Sequence, residues 1–211
     1  MRMMDELADW RRTGDTSQDA YAILSLIAAI EGDRERACRY LAAEIEIIAN
    51  VAIPAATAKG MLARELCYLA RFDDAERLLE EARAVPPPGS GVRVMAAAAE
   101  ALLLAQRGEL KQAEALARTA VATADTKTDT VWWQALTHED LATVLERSGR
   151  IDEAREALER AVAIWERKGC LPCAERVRER SSRSAGRRSE TYAVFATVSA
   201  SSFSVSASAG L

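Results

Sequence analysis

Apolar residues recur every three or four positions along most of this chain, which is the spacing of amphipathic helices. Short turns separate these stretches, and most of the turns carry a Gly followed by acidic residues. Near its start, the helix after each turn carries a shared alanine, at Ala37, Ala75, Ala113 and Ala154, at intervals of 38, 38 and 41 residues. One helix pair cannot bury its own apolar stripe, so this period predicts pairs that stack on one another.

Each turn is predicted to end one helix and to start the next. Gly32, Gly108 and Gly149 tolerate the left-handed backbone that ends a helix. The paired carboxylates Asp73-Asp74 and Asp152-Glu153 lie at the start of the helix that follows a turn. There they interact favourably with the amide dipoles of that helix. This position explains the carboxylates as structural residues, and we predict no catalytic site from them.

Two units carry the clearest set of Leu and small residues. In the second unit the set is Leu62, Ala63, Leu66, Ala75, Leu79, Ala82 and Pro87. In the fourth unit it is Leu141, Ala142, Leu145, Gly149, Ala154, Leu158 and Ala161. The pattern resembles the tetratricopeptide repeat over about residues 8–180. A standard repeat of that family has 34 residues, so the longer period here predicts longer helices or loops.

Longer repeats of this kind resemble the C-terminal helical arrays of large bacterial signalling ATPases, adenylate cyclases and transcriptional regulators. Residues 141–150 and 164–169 carry this second resemblance. It implies a non-catalytic protein-protein interaction or regulatory scaffold, a fragment or stand-alone copy of such an array, with no cofactor. The implied partners are a protein, a peptide or other domains of a parent signalling protein.

The predicted fold is all-α: a right-handed α-α superhelix of about four helix pairs with a C-terminal capping helix. The pairs are placed at 17–50, 54–84, 92–123 and 130–168, and the cap at 172–181. The chain is divided into a residual N-terminal helix or partial repeat at 1–16, the array at 17–180 and a Ser/Ala-rich tail at 181–211. Too little apolar surface remains in the tail to offset ordering it, so it is predicted to be disordered.

The candidate partner-binding residues follow from the aromatic pair and from the family pattern. Trp132 and Trp133 point about 100° apart on a helix, so either one indole reaches the surface or both are wedged between units. The resemblance implies that the first helix of each pair lines a concave groove. The remaining tentative binding residues are inner-face positions of that kind: Arg64, Leu102, Leu136 and Glu139. The Lys and Asn set that grips a peptide carboxylate in some members is absent.

Cys170-Leu171-Pro172-Cys173 is the one stretch that resembles an active motif, since paired thiols near a helix start can cycle to a disulfide. A thiol-disulfide or metal-binding protein using this pair is therefore an alternative function. Zinc needs further ligands, and Cys38, Cys67 and the single His138 lie in other parts of the chain, so no metal site is predicted. We expect all four cysteines to be reduced thiols.

Charge limits the classes of partner. Residues 1–175 carry 22 basic and 30 acidic side chains, whereas residues 176–211 carry 6 and 2. An acidic body is a poor partner for nucleic acid, and no run of apolar residues is long enough to span a membrane. The start has no apolar stretch of the secretory kind, so we expect a cytoplasmic protein. A small-ligand sensor with a pocket inside the superhelix is the other alternative.

Overall fold

The computed structural model describes residues 18–85, 90–128 and 130–183. Within these residues the chain forms nine α-helices and no strand. The helices are α1 (Gln18–Ile30), α2 (Arg34–Ile47), α3 (Ala52–Tyr68), α4 (Phe72–Arg83), α5 (Ser90–Gln106), α6 (Leu110–Lys127), α7 (Val131–Arg147), α8 (Ile151–Lys168) and α9 (171–183). They form four pairs and one additional C-terminal helix, which confirms the all-α fold class.

The turns inside the pairs explain why helices end where they do. Gly32, Gly108 and Gly149 have φ angles of +84°, +83° and +73°. The second pair has an alanine at the equivalent position, and Ala70 takes a φ of +58°. This left-handed conformation disfavours a side chain with a Cβ. The second turn therefore keeps the backbone geometry of the others without their glycine.

The shared alanines lie where helices cross. Ala37, Ala75 and Ala113 have no exposed surface, and Ala154 is 1% exposed. Neighbouring units also approach closely: a Cβ added to Gly60 of α3 would lie 3.0 Å from the Cβ of Met95 in α5. Small residues at these positions let the pairs stack, as the repeat pattern predicts.

The main core is shared between distant units. It contains buried residues of the third and fourth pairs and of α9, and the side chains of Leu26 and Ile30 from α1 pack against it. The first helix therefore reaches a core built mainly by the third and fourth units. The array is wound tightly enough for its inner helices to meet.

The C-terminal end of the array is covered by α9. Its Cys173, Ala174 and Val177 side chains have no exposed surface and belong to the main core. The sequence predicts this cap at 172–181, and the structure describes residues 171–183 as this helix. The residual N-terminal helix or partial repeat predicted at 1–16 and most of the predicted tail lie outside the described residues. In the described part of the chain, no helix is long and apolar enough to cross a membrane.

Candidate functional site: a charged inner face

Two inner helices carry charges where an apolar stripe would place hydrophobic residues. Arg64 and Glu65 on α3 are 4% and 6% exposed, and Glu139 and Asp140 on α7 are 3% and 1% exposed. Removing charges from water is costly unless each one finds a partner. The packing of this face therefore depends on which side chains pair with these four buried charges.

Arg64 is the central cation of this face. Its Nε donates to Oδ2 of Asp140 across 2.7 Å, and its Nη1 donates to Oε1 of Glu65 across 2.5 Å. Burial alone would lower the pKa of Arg64, but Asp140 and Glu65 raise it well above its usual value. The guanidinium thus stays charged and ties the second unit to the fourth.

Tyr68 completes the partners of Asp140. The Tyr68 hydroxyl donates to Oδ1 of Asp140 across 2.6 Å, and burial together with the Asp140 charge raises the pKa of Tyr68. The tyrosine ring also contacts two cations, with the guanidinium carbons of Arg34 and Arg64 at 4.1 and 5.1 Å from its centroid. Arg34 in turn forms an ion pair with Glu65. Cation–π contacts of this kind strengthen when they are shielded from water.

The cap helix α9 and the preceding helix α8 supply the partners of Glu139. Arg176 donates to both carboxylate oxygens of Glu139 at 2.8 Å, and the Trp165 indole N–H donates to Oε1 at 3.0 Å. Burial would raise the pKa of Glu139, but the Arg176 charge and the Trp165 hydrogen bond hold it below its usual value. Glu139 therefore remains an anion although it is buried.

One turn further along α9, Arg180 contacts the same inner helix. Its Nη2 donates to the Thr143 hydroxyl at 2.8 Å and to Oε2 of Glu146 at 2.9 Å. We call the whole set the inner-face cluster. Its members are Arg34, Arg64, Glu65, Tyr68, Glu139, Asp140, Thr143, Glu146, Arg176 and Arg180. Four cations face four carboxylates, so the charges of the cluster balance.

The cluster has a buried centre and a partly exposed rim. The rim consists of Arg34, Glu146, Arg176 and Arg180, whose side chains are 25%, 26%, 24% and 21% exposed. Buried carboxylates fix two of these rim charges, Arg34 through Glu65 and Arg176 through Glu139, whereas Arg180 and Glu146 fix each other. Fixed charges of this kind give specificity to an interface more readily than raw affinity.

The structure gathers some of the predicted binding residues and buries most of them. Arg64, Trp132 and Leu136 line one small cavity inside the array, together with Met95 and other residues. Leu102 and Leu136 are each 6% exposed and belong to the core. The cavity has a volume of about 20 Å³, which holds about one water molecule. This cavity leaves no room for the ligand of a small-molecule sensor.

The two tryptophans are both half-buried. Their rings lie 5.7 Å apart at 57°. Trp133 packs against Gly91, where an added Cβ would lie 2.6 Å from the ring, and this Cβ would also lie 3.1 Å from Thr57. Trp132 packs against both large hydrophobic clusters. The pair is therefore wedged between units. This is one of the two arrangements that the sequence allows, the other being exposure of one indole at the surface.

The cysteines correct one expectation. Cys170 and Cys173 form a disulfide with their Cα atoms 5.3 Å apart, so the prediction of four reduced thiols is wrong for this pair. Their spacing across the first turn of α9 brings the sulfurs together. Cys38 and Cys67 are free thiols, and burial raises their pKa values to about 11 and about 12.

His138 lies near the charges of Asp125 and Arg160. Its Nε2 lies 3.6 Å from Oδ2 of Asp125, and its buried Nδ1 has no hydrogen-bond partner. The described residues contain no group of three or more His, Cys, Asp or Glu side chains arranged to hold a metal ion. His138 is thus a packed histidine beside a carboxylate.

Sequence reasoning missed most of the inner-face cluster. It named Arg64 and Glu139 but not Tyr68, Asp140 or the cap arginines. The available signal was the occurrence of adjacent charges, Arg64-Glu65 and Glu139-Asp140, within helical stripes that are otherwise apolar. Buried charges need partners, so such pairs indicate a buried electrostatic contact even before its other members are known.

The stacked helix pairs define an α-α solenoid, the class of repeat protein in which each unit contacts its neighbours. Within it, residues 139–168 match the family model described as "Tetratricopeptide repeat". This part of the chain is therefore similar to a tetratricopeptide repeat, as the sequence pattern of the fourth unit predicts. Such repeats imply a role in protein-protein interaction or as a scaffold.

Solved structures with similar chains include BtubC (BKLC) from P. vanneervenii, at 19% identity and a TM-score of 0.42, covering 72% of this chain. This chain spans 64% of the length of that protein. A putative kinesin light chain with nearly identical TPR-like repeats from Podosopora anserina matches at 19% identity and a TM-score of 0.42, over 90% of this chain and 97% of its own. A variant of that kinesin light chain matches at 20% identity and a TM-score of 0.44, over 86% of this chain and 92% of its own. No curated protein matches this chain significantly.

Proposed function

We propose that the chain is a non-catalytic scaffold that binds a protein or peptide through the rim of the inner-face cluster. The observation that carries this proposal is the set of partly exposed charges held in place by neighbouring charged and polar side chains, above all Arg180 between Thr143 and Glu146. A charged partner exchanges contacts with the rim, while Arg64 and Glu139 support it from beneath. The partner is a separate protein or another domain of a parent signalling protein.

Charge and hydropathy support the choice of partner class. The acidic balance of residues 1–175, with 30 acidic against 22 basic side chains, opposes binding to nucleic acid. We accordingly propose a cytoplasmic protein that acts on neither nucleic acid nor membranes. The half-buried Trp132 and Trp133, with the buried Leu102 and Leu136, are proposed as the apolar support of the binding face.

A peptide-display selection tests this proposal. A library of random peptides is selected against the natural chain, and the enriched peptides are then measured against Arg180→Glu and against Arg155→Glu. Arg155 is an exposed arginine of α8 outside the cluster, so its variant is the matched control. We expect enriched peptides to bind the control normally and to lose about tenfold or more in affinity for Arg180→Glu, as for a charged contact of about 1.4 kcal/mol. Equal binding to both variants, or no enriched peptide, contradicts the proposal.

The disulfide favours a second candidate function, thiol-disulfide exchange. Cys173 is fully buried and Cys170 is half-buried just before α9, so an external thiolate would attack the Cys170 sulfur. The Cys170–Cys173 bond then breaks, Cys173 leaves as a thiolate, and a dithiol reductant completes the exchange as its own cyclic disulfide. Incubation with dithiothreitol tests this: rapid reduction of the folded chain supports exchange, and reduction only after unfolding contradicts it.

A further inference from the structure

The last helix, α9, is held on the array by small apolar side chains. In residues 171–183 the buried side chains are those of Cys173, Ala174 and Val177. The preceding helix α8, by contrast, buries larger groups that include Leu158 and Trp165. Apolar burial stabilises in proportion to the area removed from water, so α9 gains less from the core than α8 does. The position of α9 therefore depends on its other contacts as well.

Two of these other contacts are made by rim arginines. Arg176 pairs with Glu139 and Arg180 pairs with Glu146, both on α7. The two arginines lie three and seven positions after Cys173, which places all three residues on one face of the helix. When α9 shifts, the rim arginines therefore shift together with the buried cysteine.

The disulfide spans the first turn of α9. The amide of Ala174 donates to the carbonyl of Cys170 across 3.1 Å, and the disulfide joins the same Cys170 to Cys173. Closing the first turn is the costly step of helix formation, because several residues are fixed for a single hydrogen bond. A covalent link across this turn constrains the unfolded segment and so lowers that cost. Cysteine also lacks the side-chain oxygen with which Ser, Thr, Asp or Asn cap a helix, so the bond takes the place of such a cap.

A dithiol can reach this bond from one side. Cys170 is half-buried and the next residue, Leu171, is 66% exposed, whereas Cys173 has no exposed surface. A thiolate of the dithiol attacks the Cys170 sulfur, the disulfide breaks, and Cys173 leaves as a thiolate that takes up a proton. The second thiol of the reductant then displaces Cys170 and closes a cyclic disulfide. Two electrons and two protons thus pass from the dithiol to the two cysteines.

We propose that the Cys170–Cys173 disulfide is a redox switch for the binding rim. This inference rests on the proposed function, in which the rim binds a protein or peptide. With the bond intact, the first turn of α9 is fixed and Arg176 and Arg180 stay paired with α7. After reduction by a dithiol, the first turn opens more often and fewer chains hold both arginines in place. In the cytoplasmic compartment proposed for this chain, disulfides are usually transient and serve catalysis or redox sensing.

Hydrogen exchange of the full-length chain tests the switch. Amide exchange is followed by mass spectrometry in the natural chain, before and after treatment with dithiothreitol. We expect the amides of residues 174–183 to exchange about tenfold or more faster after reduction, whereas the amides of α4 keep their rates. Cys170→Ala cannot form the bond, so its α9 should exchange at the fast rate with or without dithiothreitol. The matched control is Leu171→Ala, a change at the exposed neighbouring position, which should respond to dithiothreitol as the natural chain does.

Three results overturn the switch. The first is equal exchange of α9 before and after reduction. The second is faster exchange throughout the chain, because the bond would then hold the whole fold and not one helix. The third is a disulfide that dithiothreitol reduces only after the chain unfolds. Since the main comparison uses the natural chain, these results do not depend on whether a variant folds.

Peptide affinity separates the switch from the proposed function. Reduction should weaken binding of the selected peptides to the natural chain and to Leu171→Ala by about threefold or more, in proportion to the loss of the binding-competent state. Cys170→Ala should bind them weakly with or without dithiothreitol. Unchanged affinity after reduction overturns control of the rim even when α9 opens. If no peptide binds in either state, the proposed function fails, and the exchange of α9 still decides whether the disulfide controls that helix.

Discussion

Arg64 and Asp140 stand 76 positions apart in the chain, yet the Nε of Arg64 donates to Oδ2 of Asp140 across 2.7 Å. The pair joins α3 of the second unit directly to α7 of the fourth unit. The Arg64 and Asp140 side chains are 4% and 1% exposed. A buried ion pair adds little net stability compared with apolar residues, but breaking it leaves an unpaired charge. The pair therefore fixes how tightly the array winds more than how stable it is.

His138 gives the chain a pH dependence near neutrality. It is the only histidine, and burial lowers its pKa below the usual 6.5 although Asp125 opposes the shift. As the pH falls below 6.5, the unfolded chain takes up the proton before the folded chain does. The free energy of unfolding should therefore decrease as the pH is lowered from 6.5, and the stabilisation present above 6.5 is lost.

Urea unfolding at about pH 7.5 and about pH 5.5 measures this decrease. The variant His138→Gln should show a smaller decrease than the natural chain, since it has no group to protonate at that position. Identical pH dependence in the two chains would show that His138 is solvated in the folded state.

Ala70 lies in the left-handed conformation at φ +58°. This conformation costs a residue with a Cβ about 1–2 kcal/mol, of which the greater freedom of glycine in the unfolded chain cancels about 0.4–1 kcal/mol. We expect Ala70→Gly to raise the free energy of unfolding by roughly 0.5–1 kcal/mol. The converse change at the equivalent position, Gly149→Ala, should lower it by a similar amount. Destabilisation by Ala70→Gly would be inconsistent with the described turn.

Ala154 tests the packing of the last pair. It is 1% exposed, and a tryptophan there overpacks the crossing of α7 and α8, with an expected loss of roughly 1–3 kcal/mol or more. Ala163→Trp, at an exposed position on the same helix, is the control and should change little. Thermal unfolding followed by circular dichroism compares the two, and an unchanged melting temperature for Ala154→Trp contradicts the proposed register.

The repeat could be predicted because its signals are local. The glycines at 32, 108 and 149 and the shared alanines each act within one pair, so their spacing alone locates the helices. The second pair, predicted at 54–84, spans 52–83 in the structure. Residues that depend only on their own turn or crossing were therefore placed correctly.

The inner-face cluster could not be predicted in the same way. Whether Arg64 meets Asp140 depends on the small rotation between successive units, which adds up over 76 residues. The charge count of residues 176–211 does not show where Arg176 and Arg180 point, and α9 turns them toward Glu139 and Glu146. Long-range winding, and not local pattern, decides these contacts.

A double-mutant cycle between Arg64 and Asp140 tests most directly that the array closes its inner face with these charges. The variants Arg64→Met, Asp140→Asn and their combination are unfolded in urea. Each single change should lose up to about 3–5 kcal/mol, because Arg64→Met leaves Asp140 with only the Tyr68 hydroxyl, and Asp140→Asn leaves Arg64 with only Glu65 as its carboxylate. The combined loss should be smaller than the sum by about 2 kcal/mol or more. Losses that add to within about 0.5 kcal/mol would show that α3 and α7 do not meet.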